Sequence, residues 1–125
     1  MTNLKSSQKA HHHHCDLRNA LIQAGLDILD THGVDGLTLR KAAARAGVSH
    51  AAPAHHFGDK EGLLVAIATQ GVEVFTATML DERYKDGDGP QQQLEGICRG
   101  YLRFSRERPA LFRLIFSLQY KEHLD

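Results

Sequence analysis

Glycines that close short segments of helical periodicity constrain the first sixty residues more than any other feature. Before Gly33, Gly47 and Gly58, apolar residues recur at about the spacing of one helix face. Glycine readily adopts the left-handed backbone conformation that commonly ends a helix, so each of these glycines marks a helix end. The pattern predicts three consecutive helices, at about 16–32, 39–46 and 50–56.

Polar residues before the predicted helices supply their N-caps. Thr38 and Ser49 precede the second and third helices, and Asp16 precedes the first. A side-chain oxygen at such a position accepts a hydrogen bond from the backbone N–H groups of the first turn. Asp59 is expected to cap a fourth helix in the same way. Residues 1–14 show no apolar periodicity and are predicted to form a mobile arm.

The second half of the chain continues the helical pattern. A loop rich in glycine and aspartate at 86–90 separates the fourth helix from a fifth, and Pro109 opens a sixth that is apolar nearly all round. The residues of the fifth helix expected to pack inwards are Leu94, Ile97, Cys98, Tyr101 and Phe104. Those expected on its solvated face are Arg99, Arg103 and Arg106. No segment reads as a strand, so the predicted fold class is all-α, a three-helix unit followed by a helical bundle.

Composition limits the class of protein. The 125 residues are 42% hydrophobic and 24% charged, which are ordinary values for a globular domain. No uninterrupted apolar run reaches the roughly 18 residues of a membrane span and no signal peptide is visible, so we expect a cytoplasmic protein without a membrane partner. Residues 1–60 carry seven Lys or Arg against five Asp or Glu. This excess permits nucleic-acid binding without requiring it.

The histidines at 11–14, followed by Cys15, form the one candidate metal site of the sequence. Imidazole and thiolate both bind zinc or copper, but a native solvated arm and an expression tag are alternative interpretations of the run. No P-loop, dinucleotide fingerprint or local catalytic-triad signature occurs, and the acidic pairs within 81–88 fit turn chemistry. We therefore predict no enzymatic activity, no cofactor and no functional metal site.

Two short predicted helices joined at Gly47 describe a helix-turn-helix. Ala43 is small enough for the two helices to cross closely, and Val48 is expected to fill the space between them. The start of the third helix is then left exposed, where it can reach DNA. An ordinary pair of helices can use the same spacing, so the motif alone leaves both interpretations open.

Longer segments resemble the TetR family of transcriptional regulators. They are 17–22 (LRNALI) with Gly33, 37–53 (LTLRKAAARAGVSHAAP) and 56–64 (HFGDKEGLL). The stretch 100–114 (GYLRFSRERPALFRL) is similar to the ligand domain of one branch of these regulators. The resemblance implies a DNA-binding domain at 15–60 and a ligand-binding and dimerisation domain at 61–125. Members of the family usually continue into further helices, so we expect the second domain to be incomplete.

The resemblance also implies a set of DNA contacts, because the third helix of such proteins enters the major groove. The candidates are Thr38, Arg40, Ser49, His50, Ala51, Ala52, His55, His56 and Lys60. The first turn of the third helix is expected at base edges and Lys60 at a phosphate. Ala54 stands where the family commonly has a tyrosine, which lowers the expected affinity.

The predicted function is that of a DNA-binding transcriptional regulator, a repressor, that acts as a homodimer on an operator and responds to a small apolar effector. The aromatic residues expected to line the effector pocket are Tyr101, Phe104, Phe112 and Phe116. The alternative is a helical protein-interaction module that keeps the fold without sequence-specific DNA binding. A third interpretation, a metal-handling protein, rests on the histidines at 11–14 alone.

Overall fold

Six α-helices form the chain in the computed structural model. The structure describes the backbone of residues 3–122 and the side chains of residues 16–117, and no strand occurs within that backbone. The helices are α1 (Asn3–His32), α2 (Leu39–Ala46), α3 (Ala52–Phe57), α4 (Lys60–Glu82), α5 (Pro90–Glu107) and α6 (Pro109–Glu122). The predicted all-α class is confirmed.

The chain divides into two compact units. Unit 1 is Met1–Ile67 and unit 2 is Ala68–Asp125. The division falls within α4, because Leu63 and Ile67 of its first two turns are fully buried and face Gly25 of α1. The first unit therefore extends two helical turns beyond residue 60, where the predicted DNA-binding domain ends.

Local capping sets the bounds of α2 and the start of α4. The Oγ1 atom of Thr38 accepts a hydrogen bond from the Lys41 backbone N–H at 3.1 Å, and Gly47 ends the helix with a φ of 70°. Asp59 Oδ1 accepts from the Gly62 N–H at 2.9 Å. These contacts confirm Thr38, Gly47 and Asp59 as predicted caps, and they confirm the predicted bounds of α2.

The core of unit 1 is aliphatic. Its fully buried side chains include Leu21, Leu29, Leu37, Leu63 and Ile67. Each such side chain stabilises the fold by roughly 1.5–3 kcal/mol relative to leaving it exposed. The helices approach closely at Gly25, where an added Cβ would lie 2.6 Å from Ile67 Cδ1. This packing fixes α1 against α4 and gives the α2–α3 pair a rigid support.

Two predicted helix starts are wrong. α1 begins at Asn3, so the structure replaces the expected arm over 3–14, and the expected cap at Asp16, with helix. Those residues contain no Gly or Pro to end a helix, and a lack of apolar periodicity predicts a lack of packing, not of helicity. α3 begins at Ala52, and its N-cap is Ala51 with no side-chain hydrogen bond. Ser49 instead uses its carbonyl, which accepts from the Ala52 N–H at 3.1 Å.

In unit 2, α5 crosses α4 at two glycines. A Cβ on Gly100 would lie 2.6 Å from the Met79 Cα atom, and one on Gly96 would collide with the Glu82 carbonyl oxygen. The buried face of α5 is therefore Gly96, Gly100 and Phe104. The expected inward face is wrong in part, because Leu94 is 62% exposed and Cys98 is also exposed. The two backbones approach where side chains are absent, which leaves the larger apolar residues outside.

The helix α6 starts at Pro109, as predicted, and buries one face. Leu111, Leu114 and Ile115 are buried, whereas Arg113 and Ser117 are exposed. Over its described side chains, α6 is thus amphipathic rather than apolar nearly all round.

Among the described residues, α4 is one helix that is long and apolar enough by length and composition to cross a membrane. We expected no membrane-spanning helix, because the uninterrupted apolar runs of the sequence are short. α4 nevertheless has the length and hydropathy of such a helix, because charged residues are rare along it. The mostly buried core helix of a soluble protein passes the same test, whereas 22% of the apolar window of α4 is buried. The absence of a membrane partner stays a prediction.

Candidate nucleic-acid interface

The helices α2 and α3 form a tight pair within unit 1. Ala42 and Ala43 of α2 are fully buried, and the Val48 N–H donates to the Ala43 carbonyl at 3.0 Å. Val48 itself is half-buried in the turn between the two helices. The geometry is that of a helix-turn-helix, in which small residues permit close packing and the second helix is presented outward.

The outward surface of this motif is small and weakly polar. Its exposed residues are Ser49, His50, Ala51, Ala54 and His55. Pro53 is buried, and Ala52 and His56 are half-buried. Ala54 was not among the predicted DNA contacts, yet it is exposed. Ala52 was among them, yet it is only half-exposed. A helical wheel started at the observed N-cap could have placed Ala54 on the exposed side, because Ala51 and Ala54 are three residues apart.

Lys60 has a backbone partner in unit 1. Its Nζ atom donates to the Val34 carbonyl oxygen at 2.8 Å, which joins the first turn of α4 to the connection between α1 and α2. Lysine has three N–H donors, so this bond leaves the charge and further donors for a phosphate. The predicted phosphate contact stays a prediction, and the structure adds a second role that local sequence patterns could not reveal.

The two predicted contacts at the start of α2 are both exposed. Thr38 uses its oxygen as an acceptor for the helix cap, and Arg40 lies two residues after it on the surface. Farther along α2, Arg45 pairs with Asp27 of α1 at 3.4 Å. Both side chains of this ion pair are exposed. The negative charge of Asp27 therefore offsets part of the positive charge of this surface.

An interaction between a cation and an aromatic ring fastens the end of α3 to α1. The guanidinium carbon of Arg18 lies 5.3 Å from the centre of the Phe57 ring. His55 and His56 pack edge to face, with ring centres 5.5 Å apart. Contacts of this kind are worth about 0.5–1 kcal/mol at exposed sites.

The four predicted pocket residues lie together in unit 2, around a fifth ring that was not among the predicted pocket residues. Phe75 of α4 lies 4.7 Å from Phe104 and 5.5 Å from Tyr101, centre to centre. Phe112 and Phe116 lie 6.3 Å from the same ring. The five rings contact one another as a packed cluster, so an apolar ligand would enter by displacing ring contacts.

Glu82 is the buried acidic residue among the described side chains. It accepts hydrogen bonds from Lys85 at 2.8 Å, Arg103 at 2.8 Å and Arg99 at 3.1 Å. These bonds, the one from Lys85 foremost, lower the pKa of Glu82 to about 2. Arg99 and Arg106 are exposed on the face of α5 that was predicted to be solvated. Arg99 and Arg103 also reach the buried carboxylate of Glu82, because α5 crosses α4 there.

Within the described side chains, no group of three or more His, Cys, Asp or Glu residues could hold a metal ion. The side chains at 11–14 and of Cys15 lie outside the described residues. The candidate metal site in that segment therefore stays untested.

Comparisons with known proteins bear directly on this motif. Residues 21–67 match the family model described as bacterial regulatory proteins, tetR family. The chain is 36% identical over 83 residues to the "HTH-type transcriptional regulator BetI" of Stenotrophomonas maltophilia, and 35% identical over 80 residues to that of Burkholderia thailandensis. These alignments cover 66% and 64% of this chain, and 42% and 41% of the two relatives.

Two solved structures are similar over most of the chain. A protein of unknown function from Rhodococcus sp. RHA1 has a TM-score of 0.70 and 34% identity, covering 80% of this chain and 52% of that one. A TetR family transcription regulator from Marinobacter aquaeolei has a TM-score of 0.65 and 25% identity, covering 88% and 57%. The chain thus spans about half the length of the solved proteins it resembles.

Proposed function

Because residues 21–67 match the family model of bacterial regulatory proteins, tetR family, we propose that this chain is a TetR-family regulator that binds DNA and controls transcription. The observation that carries the proposal is the coincidence of two ranges. The family match at 21–67 ends where unit 1 ends, and it contains the whole helix-turn-helix. The segment that matches the family model is therefore the segment that contains the helix-turn-helix, and the second helix of that motif lies on the surface.

In this proposal α3 enters the major groove of duplex DNA. His50 and Ala51 lie at base edges, while Thr38, Ser49 and Lys60 lie along the phosphate backbone. The exposure of His50, Ala51 and Ser49 supports this arrangement. Two copies of the chain bind half-sites about 34 Å apart, one turn of the double helix, and the protein acts in the bacterial cytoplasm.

We further propose that the regulator is a repressor released by a small apolar effector in unit 2. The aromatic cluster supports this proposal, because five rings at 4.7–6.5 Å offer a surface for an apolar ligand. Phe75 of that cluster belongs to α4, the helix that also carries Lys60. A ligand that displaces Phe75 therefore acts on the helix whose first turn lies in the DNA-binding unit.

A gel-shift titration with duplex DNA from upstream of the gene tests the proposed function. We expect a shift that survives an excess of unrelated duplex and weakens as salt rises, because phosphate contacts release counterions. The control is the same protein with unrelated duplex of equal length. No selective shift at any effector-free concentration would contradict the proposal.

A second candidate, a helical protein-interaction module, is favoured by one observation. The segment 48–58 carries no Lys or Arg, so the motif brings little positive charge to DNA. Sedimentation with and without duplex distinguishes the two functions. A chain that ignores every duplex and sediments unchanged would favour the interaction module.

A further inference from the structure

The surface of the helix-turn-helix lacks the side chains that most often read bases. Residues 48–58, VSHAAPAHHFG, contain no Lys, Arg, Asn, Gln, Asp or Glu. Those side chains make the hydrogen bonds by which proteins recognise guanine, adenine and cytosine in the major groove. Direct readout by this segment is therefore limited to a serine hydroxyl, imidazole rings and methyl groups.

The structure shows which methyl groups are presented. Ala51 and Ala54 are exposed and three residues apart, so they lie on the same side of α3. His50 and His55 are exposed on either side of them in sequence, whereas Pro53 is buried. The outward face is thus a pair of methyl groups flanked by imidazoles, which we call the methyl face.

We propose that the methyl face, Ala51 and Ala54, reads thymine through its C5 methyl group, so that the half-site of this protein carries thymines at the facing positions. The inference rests on the proposed function and names the DNA it selects. Thymine presents an apolar group in the major groove, and alanine is among the residues that contact it.

The other bases suit the methyl face poorly. Guanine presents two acceptors and cytosine presents an amino group in the major groove. An alanine methyl packed against either excludes water without replacing the lost hydrogen bond, which is unfavourable. Selection on this face therefore acts both by attraction to thymine and by exclusion of G·C pairs.

The experiment begins with selection of duplexes by the full chain from a randomised pool. Each thymine of the selected half-site is then replaced in turn by deoxyuridine, which keeps every hydrogen-bonding group and removes only the methyl. We expect affinity to fall about fourfold at each thymine that contacts the methyl face, which is the effect of burying one methyl-sized group. At thymines elsewhere in the half-site, the replacement should leave the affinity unchanged.

Paired variants assign the effect to the protein. Ala51→Gly removes one methyl at the N-cap, where glycine is tolerated, so sensitivity to deoxyuridine should vanish at one position. The control, Ala44→Gly, removes an exposed methyl of α2 and should leave the sensitivity at every position unchanged. Circular dichroism verifies that both variants are folded.

The possible outcomes distinguish failure of this inference from failure of the proposed function. Enrichment of duplexes whose binding ignores deoxyuridine, or a sensitivity that Ala51→Gly leaves intact at every position, would overturn this inference alone. Failure to enrich any duplex would overturn the proposed function and this inference with it.

Discussion

The ammonium of Lys60 donates a 2.8 Å hydrogen bond to the backbone carbonyl of Val34, twenty-six residues earlier in the chain. The bond links the start of α4 to the connection that leads into α2. Lys60 therefore has two tasks in our account: it supports unit 1 from within, and it carries positive charge to the DNA backbone. The two tasks can be separated by substitution.

Replacing Lys60 with Ala should weaken binding to all duplexes about equally and reduce the magnitude of the salt slope by about one unit, because one phosphate contact is lost. The measurement is the affinity for selected and unrelated duplexes at several salt concentrations. Lys60→Arg keeps the charge and should keep the slope. A change in base preference on Lys60→Ala would show that this residue reads sequence instead.

Replacing His50 with Ala should have the opposite signature. Because an imidazole at a base edge donates or accepts a hydrogen bond, its loss should alter preference at one base pair by roughly 1–3 kcal/mol. Binding to unrelated duplex should stay nearly the same. Competition between duplexes that differ at single base pairs measures the effect. A uniform loss of affinity for all duplexes would place His50 at the phosphates.

Glu82 should make stability depend on pH at the acid end. Its pKa is lowered to about 2, so the stabilisation it gives is fully present above the ordinary carboxyl pKa and is lost as the pH falls towards 2. Glu82→Gln should therefore lower stability at neutral pH, and its deficit should shrink as the solution is acidified. Thermal unfolding at pH 7, 4 and 2.5 tests this expectation.

The matched control is Asp81→Asn, which removes an exposed carboxylate that also faces Lys85 and Arg103. At pH 7, Asp81→Asn should lower the free energy of unfolding less than Glu82→Gln does, because exposed ion pairs contribute little to stability. A deficit of Glu82→Gln that stays constant from pH 7 to 2.5 would contradict the ion-pair account.

Adding a methyl at Gly100 should destabilise unit 2. The new Cβ would lie 2.6 Å from the Met79 Cα atom, and backbone atoms cannot yield as a side chain can. We expect Gly100→Ala to cost about 1–3 kcal/mol, the range of overpacking. Gly25→Ala, which meets the flexible end of Ile67, should cost less. Urea unfolding measures the stability of both variants. A larger loss of stability for Gly25→Ala than for Gly100→Ala would contradict the close α4–α5 crossing.

The sequence predicted those parts of the fold that depend on neighbouring residues. Thr38, Gly47 and Asp59 each act within four residues of their position, and all three caps are confirmed. The helix-turn-helix followed from the same signals. The start of α3 was misplaced because Ser49 has a side chain suited to capping, yet the helix begins after the backbone turn that its carbonyl closes.

Contacts between residues distant in sequence were beyond such patterns. The Lys60–Val34 bond depends on how α4 meets the α1–α2 connection, and the burial of Glu82 depends on where α5 crosses α4. The glycines at that crossing carry no side chain, so apolar periodicity correctly predicts the burial of Phe104 but wrongly places Leu94 and Cys98 inwards. Phe75 was not among the predicted pocket residues for a similar reason: its ring partners lie on α5 and α6.

The central claim, that this chain reads DNA sequence through α3, is tested most directly by a ratio of two affinities. Fluorescence anisotropy gives the dissociation constant of the selected duplex and that of a scrambled duplex of equal composition, in the same salt. Our account predicts tighter binding to the selected duplex by roughly a thousandfold, the lower end for specific complexes. Equal affinity for both duplexes would contradict it.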